Sequence, residues 1–331
     1  MAREATGEGR WLNSRDLRGS RINGTPFLGF FLLRSVARRT AKNGRPFLSV
    51  EVGDRYGTIS FNVFEDGSGF GLLSGLAMGT ILEVGGLVDF YNDRLSPRIQ
   101  SLRSVSPDEV RERRVDADLY DGPKESTIAL REELLSQIGR IGHEKLRQTV
   151  WRALDDVGEI FWINTAAVSM HHAYRCGLLE HTVHVARAGI SLLSSYPFIH
   201  ADLAIAGMVL HDIGKAWEYG GDGVYDRTPI GRLEGHVVLG YRIVRQAALA
   251  CGLEDGLTLR LEHIILSHQG LQEYGAAVLP SSPEGVFVAM VDNLDARMAM
   301  VERALDNTPP GDEFSEKIFG LENVRVFTAE T

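Results

Sequence analysis

The chain has 331 residues, 44% hydrophobic and 24% charged, with a formal net charge of −9. That composition is ordinary for a soluble globular protein, and the length suggests two domains rather than one. Two cysteines, Cys176 and Cys251, exclude a disulfide framework or a CxxC metal motif and fit a reducing cytoplasm. The N-terminal residues lack an apolar signal segment, and runs such as Leu203 to Leu210 are too short to span a bilayer, so no membrane role is expected.

Taken in chain order, residues 1–17 read as a tail. Five β-rich runs follow: Gly29 to Arg38, Pro46 to Val52, Gly57 to Phe64, Thr80 to Phe90 and Leu95 to Leu102. Turn-forming residues separate them, and Phe61 and Val63 alternate with Ser60 and Asn62 as in a half-buried strand. A Gly/Leu-rich insert, Gly69 to Met78, lies between the third and fourth runs. Residues 18–107 therefore predict an all-β barrel laid out as an OB-fold, with an SH3-like barrel as the competing layout. Residues 108–126 are polar and charged and read as a linker. Helical periodicity then sets in over residues 127–308. Its stretches are Ile128 to Ile141, Glu144 to Val157, Leu178 to Leu193, Ala201 to Tyr219, Leu233 to Ala250, Leu257 to Ser267 and Glu284 to Asp306. Residues 309–331 read as a C-terminal tail.

Charge divides along the same line. Trp11 to Pro107 carries 12 Lys+Arg against 8 Asp+Glu, a balance of +4, while Asp108 to Thr331 carries 21 against 34, a balance of −13. A basic front half and an acidic back half point to different tasks. An acidic domain still binds polyanions if bound cations supply local positive charge. Arg34, Arg38, Arg39, Lys42 and Arg45 cluster around the first turn, with Phe61 and Tyr91 on neighbouring strands. Basic residues beside aromatics are the chemistry of single-strand binding.

The helical half carries His181, the doublet His211-Asp212, His236, His268 and Asp292. An ionisable doublet ending an apolar helical run is costly to bury unless it is paired or metal-bound. Imidazole with carboxylate, and no thiolate, suits hard to borderline divalent ions. Adjacent helical residues point about 100° apart, so a carboxylate bridging two ions fits the doublet better than chelation of one ion by both. Lys215 shares a helical face with the doublet and is placed to neutralise phosphoryl oxygens.

The order H…HD…D resembles the HD phosphohydrolase superfamily. The phrases MHHAYRCGLLEHTVHVA, LHDIGK, EGH, HIILSHQG and VDNLDARM together resemble the YhaM-type 3′–5′ exoribonucleases, over roughly Gly19 to Phe327. The resemblance implies an N-terminal OB-fold barrel followed by an all-α HD-domain bundle. It implies His181, His211, Asp212 and Asp292 around one ion, with Asp212 bridging to a second ion held by His236 and His268. Asp212 and Lys215 would act catalytically, and His172, Tyr174 and Arg175 would contact the terminal nucleotide. The implied cofactors are two divalent ions per chain, Mn²⁺ foremost, with Fe²⁺, Zn²⁺, Co²⁺ or Mg²⁺ as alternatives. Two departures stand out. His268 is followed by Gln269 where the family usually has a second histidine, and Cys176-Gly177 replaces a Gly-Gly pair.

These readings predict a cytoplasmic metal-dependent 3′–5′ exoribonuclease. It would take single-stranded RNA, or short single-stranded DNA, to nucleoside 5′-monophosphates, with self-association into homo-oligomers left open. The competing readings are an HD phosphodiesterase for a small nucleotide, against which the basic barrel argues, and a nucleic-acid-binding module with an inactive HD domain, against which the full ligand set argues.

Overall fold

The computed structural model describes residues 10–20, 22–41, 44–67, 69–91, 94–113, 119–120, 122–167, 174–221, 225–308 and 311–328. The chain divides into two compact units, residues 1–121 with short later segments and residues 122–331 without them.

The first unit is an antiparallel sheet. A two-residue strand β1 (Arg10–Trp11) and a short helix α1 (Ser14–Gly19) lead into β2 (Pro26–Thr40), β3 (Pro46–Asp54) and β4 (Gly57–Phe64). A one-turn helix α2 (Phe70–Leu73) precedes β5 (Ile81–Leu87), the ribbon β6 (Phe90–Tyr91) and β7 (Arg94–Leu95), and then β8 (Arg98–Val105). The order β4-β3-β2-β5-β8, with a helix between β4 and β5, is OB-like, as the sequence pattern and the resemblance both predict. Strict alternation on β4 sends Ile59, Phe61 and Val63 into the core and leaves Ser60, Asn62 and Phe64 outside.

That alternation corrects one site expectation. Phe61 is 3% exposed and packs with Leu48 and Val50 in the core cluster, so it cannot stack on a base. On β3 and β4, Phe64 is exposed and Phe47 half-buried. They are register partners across β3 and β4, with ring centroids 5.6 Å apart.

The sheet's opposite face is covered by segments read from sequence as tail and linker. Phe30 and Leu32 of β2 bury against Val110 and Leu119, and Val110 lies on α3 (Pro107–Glu112). Ser106 caps that helix and proline occupies its first position, both favourable starts. Trp11 stacks on Phe30 at 4.8 Å, and Arg113 lies over both rings. Asp54 anchors α1 by accepting from the Ser14 backbone N–H at 2.6 Å. A polar stretch can hide single anchoring residues, which periodicity does not detect.

The second unit is helical: α4 (Thr127–Gly139), α5 (Glu144–Val157), α6 (Ile160–Ile163), α7 (Gly177–Leu192), α8 (Ala201–Leu210), α9 (Lys215–Glu218), α10 (Pro229–Cys251), α11 (Asp255–Ser267) and α12 (Pro283–Asn307). A small ribbon pairs β9 (Tyr219–Gly220) with β10 (Asp226–Arg227). The C-terminal residues are not featureless, since bridges join Phe314 to Phe327 and Ile318 to Val324. Helix α8 is buried along its whole apolar run, Leu203 to Leu210, and is the central element of the bundle. Among the described residues no helix is long and apolar enough to cross a membrane.

Two helices read as continuous from sequence are interrupted. The run from Ala201 to Tyr219 breaks at His211–Gly214, a series of turns between α8 and α9. A Cβ on Gly214 would lie 2.0 Å from the His236 carbonyl oxygen, so only glycine allows this approach to α10. Helix α10 is itself kinked at Gly235, with φ 71° and ψ 158°, a conformation that favours glycine. Both interruptions border candidate ligands.

Candidate metal centre

The site is built on five helices. His181 sits within α7, His211 and Asp212 follow the end of α8, and His236 follows the kink in α10. His268 is the residue just past α11, and Asp292 lies within α12. Two donor groupings result: His181 with His211 and Asp212, and Asp212 with His236 and His268. Asp212 belongs to both.

Its two oxygens divide between them. Oδ2 lies 3.3 Å from His181 Nε2 and 3.4 Å from His211 Nε2, whereas Oδ1 lies 3.6 Å from His236 Nε2 and 3.4 Å from His268 Nε2. Asp292 Oδ1 joins the first pair, 3.2 Å from His181 and 3.7 Å from His211. Lys215 Nζ is 2.6 Å from Asp212 Oδ2. The Nε2 atoms of His181 and His211 face each other at 3.1 Å. In the second grouping the Gln269 amide nitrogen lies 3.0 Å from His268 Nε2 and 3.3 Å from His236 Nε2, between the two rings.

Burial is nearly complete: His211 and His268 are 0% exposed, His181 and Asp212 1%. Burial alone would push the His181 imidazole down, yet Asp212, Asp292 and Asp295 hold it well above its ordinary range. Burial opposes the charged form of Asp212, but Lys215 and His211 keep it well below the usual carboxylate range. Asp292 is brought down to about 2 by the same imidazoles, against its burial. His236 is lowered, chiefly by burial, with Glu218 opposing. The carboxylates thus remain anionic in a buried pocket, beside converging Nε2 atoms. Neither oxygen of Asp212 has a well-aligned hydrogen-bond donor. Buried carboxylate oxygens without such donors, ringed by imidazole nitrogens, form a donor set that fits divalent cations.

The Tyr174 phenol hydrogen-bonds Glu180, itself buried, and Arg175 is exposed. Lys42, His172 and the Tyr91 side chain lie outside the described residues. In the first unit Arg38, Arg39 and Arg45 are exposed at the β2–β3 end, while Arg34 is half-buried. Arg45 lies over the Phe64 ring at 5.6 Å and pairs with Asp66 at 2.6 Å. His263 Nε2 is turned to the Ser281 N–H, from which it accepts at 2.8 Å.

Asp295 Oδ2, three residues along α12 from Asp292, lies 2.7 Å from His181 Nδ1. Sequence reasoning passes over Glu218, whose Oε2 lies 2.8 Å from His236 Nδ1. Glu218 is 2% exposed, and its only signal in the sequence is an acidic residue shortly after LHDIGK.

Comparison with known proteins places the same part of the chain in an HD domain. The HD domain family matches residues 178–297, which contain all six candidate ligands. The 3′-5′ exoribonuclease YhaM of Shouchella clausii (strain KSM-K16) is 31% identical over 302 residues, covering 89% of this chain and 91% of its own. Those of Bacillus pumilus (strain SAFR-032) and Halalkalibacterium halodurans are each 30% identical, over 88% and 89% of this chain and 91% and 90% of their own. A solved chain from a replication protein A heterotrimer bound to ssDNA matches 30% of this chain and 72% of its own, at 19% identity and a TM-score of 0.23. That likeness is too slight to bear on fold or ligand. With about nine-tenths of both sequences aligned at this identity, and an HD domain around the doublet, the chain belongs to the YhaM family of 3′-5′ exoribonucleases.

Proposed function

We propose that this protein is a cytoplasmic, metal-dependent 3′–5′ exoribonuclease that shortens single-stranded RNA, and short single-stranded DNA, to nucleoside 5′-monophosphates using two divalent cations, Mn²⁺ foremost. The observation that carries the reading is Asp212, with one oxygen turned toward each imidazole pair. His181, His211 and Asp292 would hold one cation, and His236 and His268 the other, with Asp212 shared. Cations bound there supply Lewis acidity and bring water to a nucleophilic state near neutral pH. In hydrolysis water adds to the terminal phosphorus and the P–O3′ bond breaks, leaving a 3′-hydroxyl on the shortened strand. Lys215 keeps its positive charge despite burial, because Asp212 raises its pKa, and so stabilises charge that develops on the phosphoryl oxygens. Tyr174 and Arg175, near the start of α7, are the residues proposed to meet the terminal nucleotide.

The test is incubation with Mn²⁺ and 5′-labelled single-stranded RNA, alongside cyclic dinucleotides and nucleoside triphosphates. A ladder of progressively shortened labelled strands, abolished by chelation, is expected. Cleavage of the small nucleotides alone would transfer the reading to a small-molecule phosphohydrolase.

Strand affinity is assigned to the exposed edge of the first unit. Arg38 and Arg45 contribute charge and Phe64 a stacking face, so Arg38→Ala with Arg45→Ala should weaken binding of a long strand. The plot of log affinity against log salt should become shallower by about 1.4, at about 0.7 per phosphate contact for single strands. An unchanged slope, measured by fluorescence anisotropy, counts against this edge.

Gln269 occupies the second grouping with an amide, a weaker donor than imidazole. Gln269→His should strengthen Mn²⁺ binding at one position by about tenfold or more, the scale of ligand-shell changes, and leave the other unchanged. Identical calorimetric isotherms for both proteins would show that the amide serves as well.

A further inference from the structure

Four histidines supply the two groupings, and each needs a tautomer with Nδ1 protonated so that the Nε2 lone pair faces inward. The structure achieves this in two ways. His211 and His268 stand just past the ends of α8 and α11. Their Nδ1 atoms lie 2.8 Å from the Met208 carbonyl and 2.7 Å from the Ile265 carbonyl, each three residues earlier. Carbonyls in the last turn of a helix have no intrahelical partner, so a helix end orients its own histidine without help.

His181 and His236 are placed differently. His181 lies inside α7, where the preceding carbonyls serve the helix, and His236 directly follows the Gly235 kink in α10. Each is met instead by a carboxylate from another element, His181 by Asp295 at 2.7 Å and His236 by Glu218 at 2.8 Å. These carboxylates are themselves held from behind. Glu218 Oε1 is 3.2 Å from Arg227, and Asp295 Oδ1 is 3.5 Å from His184, which meets Glu125 at 2.9 Å. Each grouping therefore contains one imidazole oriented by a carbonyl and one oriented by a carboxylate.

We infer that Glu218 and Asp295 are positioning residues, one for each cation position, and that each fixes the tautomer and ring plane of a single histidine. The inference rests on the two-cation reading above. An anion behind an imidazole also raises its basicity as a ligand, so each carboxylate strengthens its own position and not the other. Two positions that share Asp212 can in this way be weakened independently.

The test is Mn²⁺ binding to the full-length protein without substrate, by calorimetry with parallel electron paramagnetic resonance. Glu218→Ala should weaken one binding step by about 10- to 100-fold and leave the other in place. Asp295→Ala should weaken the other step. Glu218→Gln and Asp295→Asn retain a carbonyl acceptor without the charge, and should recover part of the loss. Assignment comes from pairing: Asp295→Ala should have little further effect in a His181→Ala background and its full effect in a His236→Ala background. A role in folding alone would weaken both steps together, and that result overturns the inference, as would two unaltered steps in every variant. Failure of the underlying reading looks different, because wild-type protein itself would then bind only one equivalent.

Discussion

Asp212→Ala, and the volume-conserving Asp212→Asn, are expected to lower the rate of RNA hydrolysis by more than about 10³-fold, over 4 kcal/mol of lost transition-state stabilisation. The size follows from geometry. One carboxylate meets both imidazole pairs, so its removal affects both cation positions at once, whereas loss of any histidine affects one. Mn²⁺ content should fall in parallel. Asn keeps an oxygen for only one side and cannot carry the negative charge that offsets Lys215. Circular dichroism should show the helical content retained, since the α8 core beneath the doublet is apolar and complete. Activity within tenfold of wild type, with normal metal content, would show that Asp212 holds neither cation.

The second large effect is expected from a residue with no reactive group. Gly214→Ala places a methyl 2.0 Å from the His236 carbonyl oxygen and 2.5 Å from the Gly240 backbone nitrogen. Both obstacles are backbone atoms that cannot swing aside. Over-packing of this kind costs about 3 kcal/mol, and relief requires α10 to move away with His236 on it. Denaturant unfolding should show the helical unit destabilised, and calorimetry should show one Mn²⁺ position weakened. Gly256→Ala is the control. Nothing lies within 4 Å of its added methyl, and alanine suits a helix better than glycine, so stability should hold or rise slightly. Equal behaviour of the two variants would contradict the close approach at Gly214.

Much of this arrangement is legible from residue types and periods. Alternation along β4 marks its inward face, and a doublet of ionisable residues closing an apolar run marks a place where burial needs compensation. The alternation of Phe61 with Ser60 and Asn62 places it with Ile59 and Val63 in the core and not on a stacking face. Other features leave less trace. A helical period runs unbroken through His211–Gly214 and through Gly235, because hydrophobic spacing records which faces are buried and not where the backbone turns. Trp11, Val110 and Leu119 are isolated apolar residues in polar surroundings, and only the sheet they cover gives them a role. Glu218 reaches His236 across two elements whose approach depends on Gly214. Carboxylates of this kind are indistinguishable in sequence from surface charge.

The proposed centre is a pair of cations sharing one carboxylate. Mn²⁺ added stepwise to metal-free protein and followed by electron paramagnetic resonance addresses it directly. Two equivalents should bind, and the spectrum should change from that of an isolated ion to that of a spin-coupled pair as the second site fills. Asp212→Asn should lose the coupled signal. A single equivalent, or two that remain magnetically isolated at saturation, would contradict the shared centre.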